Sequence, residues 1–414
     1  MKLLLITPLY PGYFDQPKAE VTYALHYFAR EWLQQGHDVR IVVLWRYYPD
    51  LFSLVRRAGR RQQYSKQEVF ELDGIRVLRC PLLKYPRIDY RDRAIKGAAQ
   101  EILAWLKQED FFPDAVISHM VNPALFTAHN VATRLSKPLF LGVHNTDLLA
   151  LGKRAIREKF EIVRQDITGT GFRSVAIRDK YLQLVGETGP GFLVFSGVEG
   201  GVPVSAKVLA AKAARPIREF LTVGHLVPLK NIDTVIQAFA LVREKTEARL
   251  RIVGVGPLYK QLHELVDSLG LKDDVEFYQE MPRADVLKLM EKADVFALVS
   301  APETFGLVYV EALAKGCLTV GSLGEGIDGV IVHNENGFLC PPRSLSRLSK
   351  LFMDIIKMTE AERLRILKGG WDTVKGMSQG AMAHEYVKNI QLCIDQAENM
   401  MELKTSPGLA IERE

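Results

Sequence analysis

No apolar run in this chain of 414 residues approaches the roughly 20 residues that a membrane-spanning helix needs, so a soluble or peripheral protein is expected. Cysteine is scarce. Cys80, Cys317, Cys340 and Cys393 stand far apart without metal-ligand or redox spacing, which fits reduced thiols in a cytoplasm. Charge of one sign is also limited: a net charge of +5, without a recognition module, does not point to nucleic acid. No Asp-x-Asp pair is present to hold a metal. Asp273-Asp274 reads as a loop pair with no partner carboxylates nearby, so no metal is expected. Ile252-Val253-Gly254-Val255-Gly256-Pro257 opens like a dinucleotide fingerprint, but Tyr259 stands where its third glycine belongs, which argues against a nicotinamide enzyme.

What is present is the composition of a globular protein, 48% hydrophobic and 25% charged, in a length that suggests two domains of roughly 200 residues. The opening run Lys2-Leu3-Leu4-Leu5-Ile6 is about half as long as an export leader requires and predicts a buried first strand. Short β-rich runs then alternate with amphipathic stretches. A helix-like Thr22 to Gln35 ends at Gly36 and is followed by Val39 to Leu44, Ile75 to Leu78, Ala115 to Ser118, Pro138 to Val143, Ser174 to Ile177 and Phe192 to Phe195. After a small and polar linker from about Gly200 to Lys212, a second series follows: Phe220 to Val223, Leu250 to Val253, Val275 to Tyr278, Val295 to Leu298 and Leu318 to Val320. The pattern predicts an α/β chain of two Rossmann-like lobes facing a cleft, with ligands beyond the carboxyl ends of the strands. The expected divisions are 1–200 for an N-terminal lobe, 201–375 for a C-terminal lobe, 376–401 for a helix crossing back, and 402–414 for a frayed tail around Ser406-Pro407-Gly408.

The most informative segment follows the strand ending near Ser300. Glu303 and Glu311 are separated by seven residues, the first in a loop and the second on the following helix, so both can face one ligand. The amides of Thr304, Phe305, Gly306 and Leu307 lie at the expected helix start, where unpaired donors and the helix dipole suit a phosphate. Taken in isolation, the two glutamates read more readily as a capping acid and a solvated helix residue. A second segment, Val223-Gly224-His225-Leu226-Val227-Pro228-Leu229-Lys230-Asn231, reads as a strand, a glycine loop and a helix, an arrangement that brings backbone and a cation to a diphosphate.

Glu303-x-Phe305-Gly306 followed by Glu311 resembles the hallmark of the family-four retaining glycosyltransferases of the GT-B fold. Further pieces occur in the family's order: Gly224 with Lys230, the Gly256-Pro257 turn, Gly321 to Gly329, and Asn336-Gly337. The resemblance is strong from Val223 to Leu339 and weaker before Leu141. It implies a nucleotide-sugar donor, UDP- or GDP-linked, as co-substrate without any cofactor, and transfer of a hexosyl group to a hydroxyl with anomeric configuration retained. It implies that Glu303 contacts donor-sugar hydroxyls, Glu311 the ribose, and Lys230 the leaving diphosphate. Where the family has an arginine, this chain has His225, whose charge would depend on pH near neutrality; the bland alternative is a residue that closes the loop. Glu325 stands between Gly324 and Gly326, where relatives have adjacent glycines. The base is expected near Gln279 to Arg283, largely through backbone.

In the N-terminal lobe, Leu141-Gly142-Val143-His144-Asn145-Thr146-Asp147 resembles the family's strand, histidine and aspartate, which implies His144 beside the reacting sugar; without the resemblance a structural histidine is the commoner reading. The first loop, Pro11 to Glu20, lacks the relatives' paired glycines. Gly12, Tyr13 and Lys18 are its acceptor candidates, and the departure implies an uncommon acceptor. Leu51 to Gln67 carries Arg56, Arg57, Arg60, Arg61 and Lys66 without an acid, behind Leu51, Phe52, Leu54 and Val55. Such a stretch fits an anionic membrane surface, and then a lipid-linked or surface-polysaccharide acceptor at the inner face of the membrane; a solvated or acceptor-gripping helix fits equally. A nucleotide-sugar epimerase and a non-catalytic nucleotide-sugar binder are the alternatives, the first opposed by the Glu303 and Glu311 spacing, the second by Lys230 and both glutamates.

Overall fold

The computed structural model describes residues 1–14, 16, 21–48, 65–85, 87–199 and 203–405. Lys18 and the basic residues Arg56, Arg57, Arg60 and Arg61 lie outside the described residues. No helix among the described residues is long and apolar enough to cross a membrane. The chain divides into two compact units: residues 1–172, 180–194 and from 382 onward form the first, and 173–179 with 195–381 the second.

The first unit holds an eight-stranded sheet made of β1 (Lys2–Thr7), β2 (Asp38–Tyr47), β3 (Glu68–Leu72), β4 (Ile75–Leu83), β5 (Ala115–His119), β6 (Leu139–Val143), β7 (Ile167–Phe172) and β8 (Gly191–Leu193). Its order is β3-β4-β2-β1-β5-β6-β7-β8. All neighbours are parallel except the β3–β4 hairpin, which turns at Asp73-Gly74 with both residues at positive φ, the backbone that a two-residue hairpin loop demands. Leu3, Leu4, Leu5 and Ile6 are fully buried, as a strand between two others in a helix-covered parallel sheet must be. The last helix, Gln379–Thr405, presses Ala383, Tyr386, Val387, Ile390 and Ile394 into the core that holds Leu3, Trp32 and Ile41. Trp32 Nε1 donates to the Ala383 carbonyl at 3.0 Å.

The second unit holds β9 (Glu219–Val223), β10 (Arg249–Val253), β11 (Val275–Tyr278), β12 (Val295–Ala297), β13 (Leu318–Ser322) and β14 (Phe338–Cys340), all parallel, in the order β11-β10-β9-β12-β13-β14. In each sheet the chain winds outward in one direction and then the other. The reversal falls between β1 and β5 in the first unit and between β9 and β12 in the second, and ligands of such sheets bind where the loops at a reversal part.

Several elements differ from the sequence reading. Ser174 to Ile177 is not a strand: Val175 begins the helix Val175–Val185, and the strand is the preceding β7, Ile-Thr-Gly-Thr-Gly-Phe. Its two glycines weaken the β signal but are required by space, since a Cβ on Gly171 would meet Val194 at 2.8 Å. Arg173–Asp179 also belongs to the second unit, so the chain crosses between units more often than one boundary near residue 200 allows. The helix expected to open at Thr304 begins at Leu307. The last helix runs through Thr405, past the expected start of the tail at 402, and residues 406–414 lie outside the description.

Candidate functional site

The loops leaving β9 and β12, the strands that flank the reversal, are tied together before any ligand is considered. The Ala301 amide donates to the Leu229 carbonyl at 2.8 Å. Buried Asn231, left-handed at φ 49°, sends Nδ2 to the Val299 carbonyl at 2.7 Å. That link places Lys230 directly opposite the second loop. Its Nζ lies 2.6 Å from Glu303 Oε2, with both side chains more than four-fifths buried. Ser300 Oγ donates to the same oxygen at 2.9 Å. Fully buried Tyr309 lies 3.0 Å from Ser300 Oγ and donates its hydroxyl to the Leu298 carbonyl at 3.0 Å. Glu303 is therefore fixed from two sides.

Between Glu303 and the helix Leu307–Ala314 the backbone forms a tight corner. The Thr304 amide is satisfied by Glu303 Oε1 at 3.1 Å, so it is not one of the open donors that the sequence suggested. The amides of Phe305, Gly306 and Leu307 have no acceptor among the described residues. Gly306 caps this helix at φ 80°, in the left-handed region, and a Cβ there would strike the Tyr309 ring at 2.3 Å; only glycine suits it. The glycine loop after β13 closes over the corner. The Glu303 amide donates to Glu325 Oε2 at 2.7 Å and the Gly326 amide to the Glu303 carbonyl at 3.1 Å. A Cβ on Gly326 would lie 2.4 Å from the Phe305 nitrogen. Glu325, which interrupts the adjacent glycines of the resemblance, thus helps to hold the motif loop.

The second motif carboxylate is held differently. Glu311 Oε1 pairs with Arg283 Nη2, and Arg283 Nη1 lies 3.3 Å from Glu199 Oε2. Burial raises the Glu311 carboxyl above the ordinary range, against the downward pull of Arg283. His225 projects from the β9 loop as an exposed side chain. Gly224 lies beside the Lys230 stem: a Cβ added there would meet it at an ordinary 3.8 Å. The structure thus brings Gly224, Lys230, Glu303, Thr304, Phe305, Gly306 and Leu307 to one loop cluster, with Glu311 on the helix that leaves it.

In the first unit, β5 ends at the reversal with fully buried His119, and His144, which is 9% exposed, directly follows the neighbouring strand β6. His119 Nδ1 lies 2.8 Å from His144 Nε2, and His119 Nε2 lies 3.1 Å from the Tyr386 hydroxyl on the last helix. Gly142 leaves room for this pair, because a Cβ there would strike the His119 ring at 2.4 Å. Fully buried Asp147 accepts from the His144 and Val121 amides at 2.8 and 2.7 Å. Burial nevertheless pushes its carboxyl up to about 7, against the pull of those two amides. The loop after β1 is anchored at Gly12, whose carbonyl accepts from buried Arg79 at 2.9 Å and whose amide donates to Gln16 Oε1 at 2.7 Å. A Cβ on Gly12 would overlap the Trp45 ring at 2.3 Å, and Tyr13 meets that ring edge-on.

Sequence reasoning missed Ser300, Tyr309, His119 and Tyr386. His119 alone left a local signal, as a polar residue closing an apolar strand; Tyr386 is separated from it by 267 positions.

Comparison with known proteins bears on the family and the fold. The model of the family described as glycosyl transferases group 1 matches residues 212–368, and that of the glycosyl transferase 4-like domain matches residues 21–170. An N-acetyl-alpha-D-glucosaminyl L-malate synthase of Bacillus anthracis is 24% identical over 298 residues, covering 70% of this chain and 75% of its own. A GDP-mannose-dependent alpha-(1-6)-phosphatidylinositol monomannoside mannosyltransferase of Mycobacterium tuberculosis is 28% identical over 143 residues, covering 32% of this chain and 37% of its own, so this chain spans little more than a third of that relative. Among solved structures, HepE of Anabaena in complex with UDP superposes with a TM-score of 0.67 at 17% identity, covering 94% of this chain and all of that one. With the order of motifs and two parallel sheets of this winding, the matches establish that the chain has the GT-B fold and belongs to the group 1 glycosyl transferases.

Proposed function

We propose that this chain transfers a hexosyl group from a UDP- or GDP-sugar to an acceptor hydroxyl, with retained anomeric configuration and without a metal. One observation carries the reading: the buried Lys230–Glu303 contact of 2.6 Å lies at the strand-order reversal, beside the amides of Phe305, Gly306 and Leu307, which have no acceptor among the described residues. A diphosphate placed there meets a cation and helix-start donors together, which is how a protein neutralises a leaving phosphate. Lys230 then turns from Glu303 to the phosphates, and Glu303 becomes available to the sugar hydroxyls. Glu311 takes the ribose, and exposed His225 adds a donor at the outer phosphate. Each well-placed donor contributes several kcal/mol to stabilising the developing charge, on the order of 2.7–4 kcal/mol. The acceptor hydroxyl attacks from the face that the diphosphate leaves, so no protein nucleophile is needed. His144 orients the transferred sugar.

The UDP named in the HepE structure and the GDP-mannose named for the mycobacterial relative support a nucleotide-sugar donor and keep both bases open. The phosphatidylinositol monomannoside in that relative's name and the basic stretch around Arg56, Arg57, Arg60 and Arg61 support a lipid-linked or surface-polysaccharide acceptor, taken from the inner face of the membrane. Gly12 and Tyr13 line the loop proposed to shape the acceptor site, together with Lys18.

The first test is thermal melting with UDP, GDP and ADP, because a ligand that binds only the folded chain raises its melting point. One uridine or guanosine diphosphate is expected to shift the midpoint. The second test follows donor in the presence and absence of acceptor glycans. Net transfer with the donor's anomeric configuration in the product is expected, whereas isomerisation of donor alone would assign an epimerase and binding without turnover a nucleotide-sugar receptor.

A further inference from the structure

Arg283 is the first residue of the helix Arg283–Lys292, and its guanidinium joins two carboxylates from distant parts of the chain. Nη1 lies 3.3 Å from Glu199 Oε2, and Nη2 pairs with Glu311 Oε1. Glu311 projects from the helix Leu307–Ala314 with its side chain 11% exposed. Its Oε2 has no hydrogen-bond partner among the described residues. The arrangement poses a chemical problem. A carboxyl group accepts hydrogen bonds on both oxygens only when ionised; once protonated it presents a donor instead. Burial and the neighbouring Glu199 both favour the protonated form of Glu311, and Arg283 opposes them. A planar guanidinium also fixes the carboxylate's orientation, which a solvated ammonium on a flexible stem does less well.

We propose that Arg283 is a positioning residue for nucleoside recognition: it holds Glu311 in place through Oε1 and leaves Oε2 as an acceptor for the ribose hydroxyls of the donor. This rests on the reading of Glu311 as the ribose ligand. Arg283 itself touches neither sugar nor phosphate. Its removal therefore weakens recognition of the hydroxyls and leaves the diphosphate contacts of Lys230 and the helix-start amides in place. In a variant without the guanidinium, the influences left on Glu311 are burial and Glu199, both of which raise its carboxyl, so ribose recognition is regained as pH rises.

The experiment compares wild type, Arg283→Lys, Arg283→Met and Glu311→Gln by calorimetric titration with UDP, GDP and their 2′,3′-dideoxy analogues at pH 6 and pH 8, after melting curves have shown that each variant folds. Wild type should prefer the ribonucleotide about tenfold or more, the scale of a hydrogen bond to a charged acceptor. Glu311→Gln and Arg283→Met should reduce that preference to within about twofold, Arg283→Met recovering part of it at pH 8, and Arg283→Lys should restore most of it. Should Arg283→Met fail to fold, Arg283→Gln replaces it, being similar in length without the charge. If Glu311→Gln loses the ribose preference and the uncharged Arg283 variant keeps it in full, the proposal is overturned and the role of Glu311 stands. A wild type that binds ribo- and dideoxynucleotide equally overturns the reading of Glu311 itself.

Discussion

The two strand-order reversals of this molecule are built from different chemistry. Between β9 and β12 the loops meet through full charges, Lys230 on Glu303, with Arg283 on Glu311 close by in sequence to the same motif. Between β1 and β5 the groups are rings and hydroxyls, His144 on His119 on Tyr386, with a fully buried carboxyl, Asp147, beneath them. Charges facing each other across a loop cluster form a site that an anion can enter by exchanging partners. A hydrogen-bonded chain of buried rings has no such exchange; it fixes the direction of its outermost member, His144. The proposed function assigns binding of the phosphates to the second unit and orientation to the first.

That contrast is broken most severely at Glu303. Glu303→Gln should lower turnover by about a hundredfold or more, since the contact that reads the sugar is lost. Freed from its partner, Lys230 should hold UDP or GDP at least as tightly as in wild type. Parallel loss of affinity and turnover would show that the ion pair only supports the fold. Gly326→Ala comes next, because the added carbon meets backbone at 2.4 Å rather than a side chain that can turn away. A loss of about 3 kcal/mol is expected in chemical denaturation, with donor binding weakened alongside.

The motif loop was legible because its chemistry is contiguous. Glu303, Gly306 and Glu311 lie within nine residues, and a carboxylate, a glycine and a second carboxylate at that spacing constrain one corner. The partners of that corner were less legible. Tyr309 reads as an ordinary apolar residue of a helix until its hydroxyl is seen beneath Ser300, and Glu325 reads as an interruption until it accepts the Glu303 amide. In the first unit the strands were visible wherever β-branched runs were dense and hidden where β7 spends two of its six positions on glycine. The histidine chain spans positions 119, 144 and 386, and no local pattern announces an assembly whose third member arrives on the last helix.

Two smaller effects sharpen the first-unit side of the comparison. Because burial raises Asp147 from 3.8 to about 7, the folded chain binds a proton that the unfolded chain releases, so this group favours folding below the lower value and loses that advantage as pH rises through the upper one. Urea denaturation should show stability falling by up to a few kcal/mol between pH 4 and pH 8 from this source, and Asp147→Asn should flatten the slope. Tyr386→Phe removes only a hydroxyl. It should cost about 1 kcal/mol in stability and reduce turnover several-fold while leaving UDP or GDP affinity unchanged; an equal loss of nucleotide binding would erase the proposed division between the units.

The most direct measurement is calorimetric titration of UDP and GDP into wild type and Lys230→Met at low and high salt. One of the two nucleotides should bind wild type, more weakly at high salt, and the methionine variant should lose about tenfold or more in affinity together with much of the salt dependence. Equal binding by both proteins, or no binding of either nucleotide to wild type, would contradict a diphosphate site at Lys230.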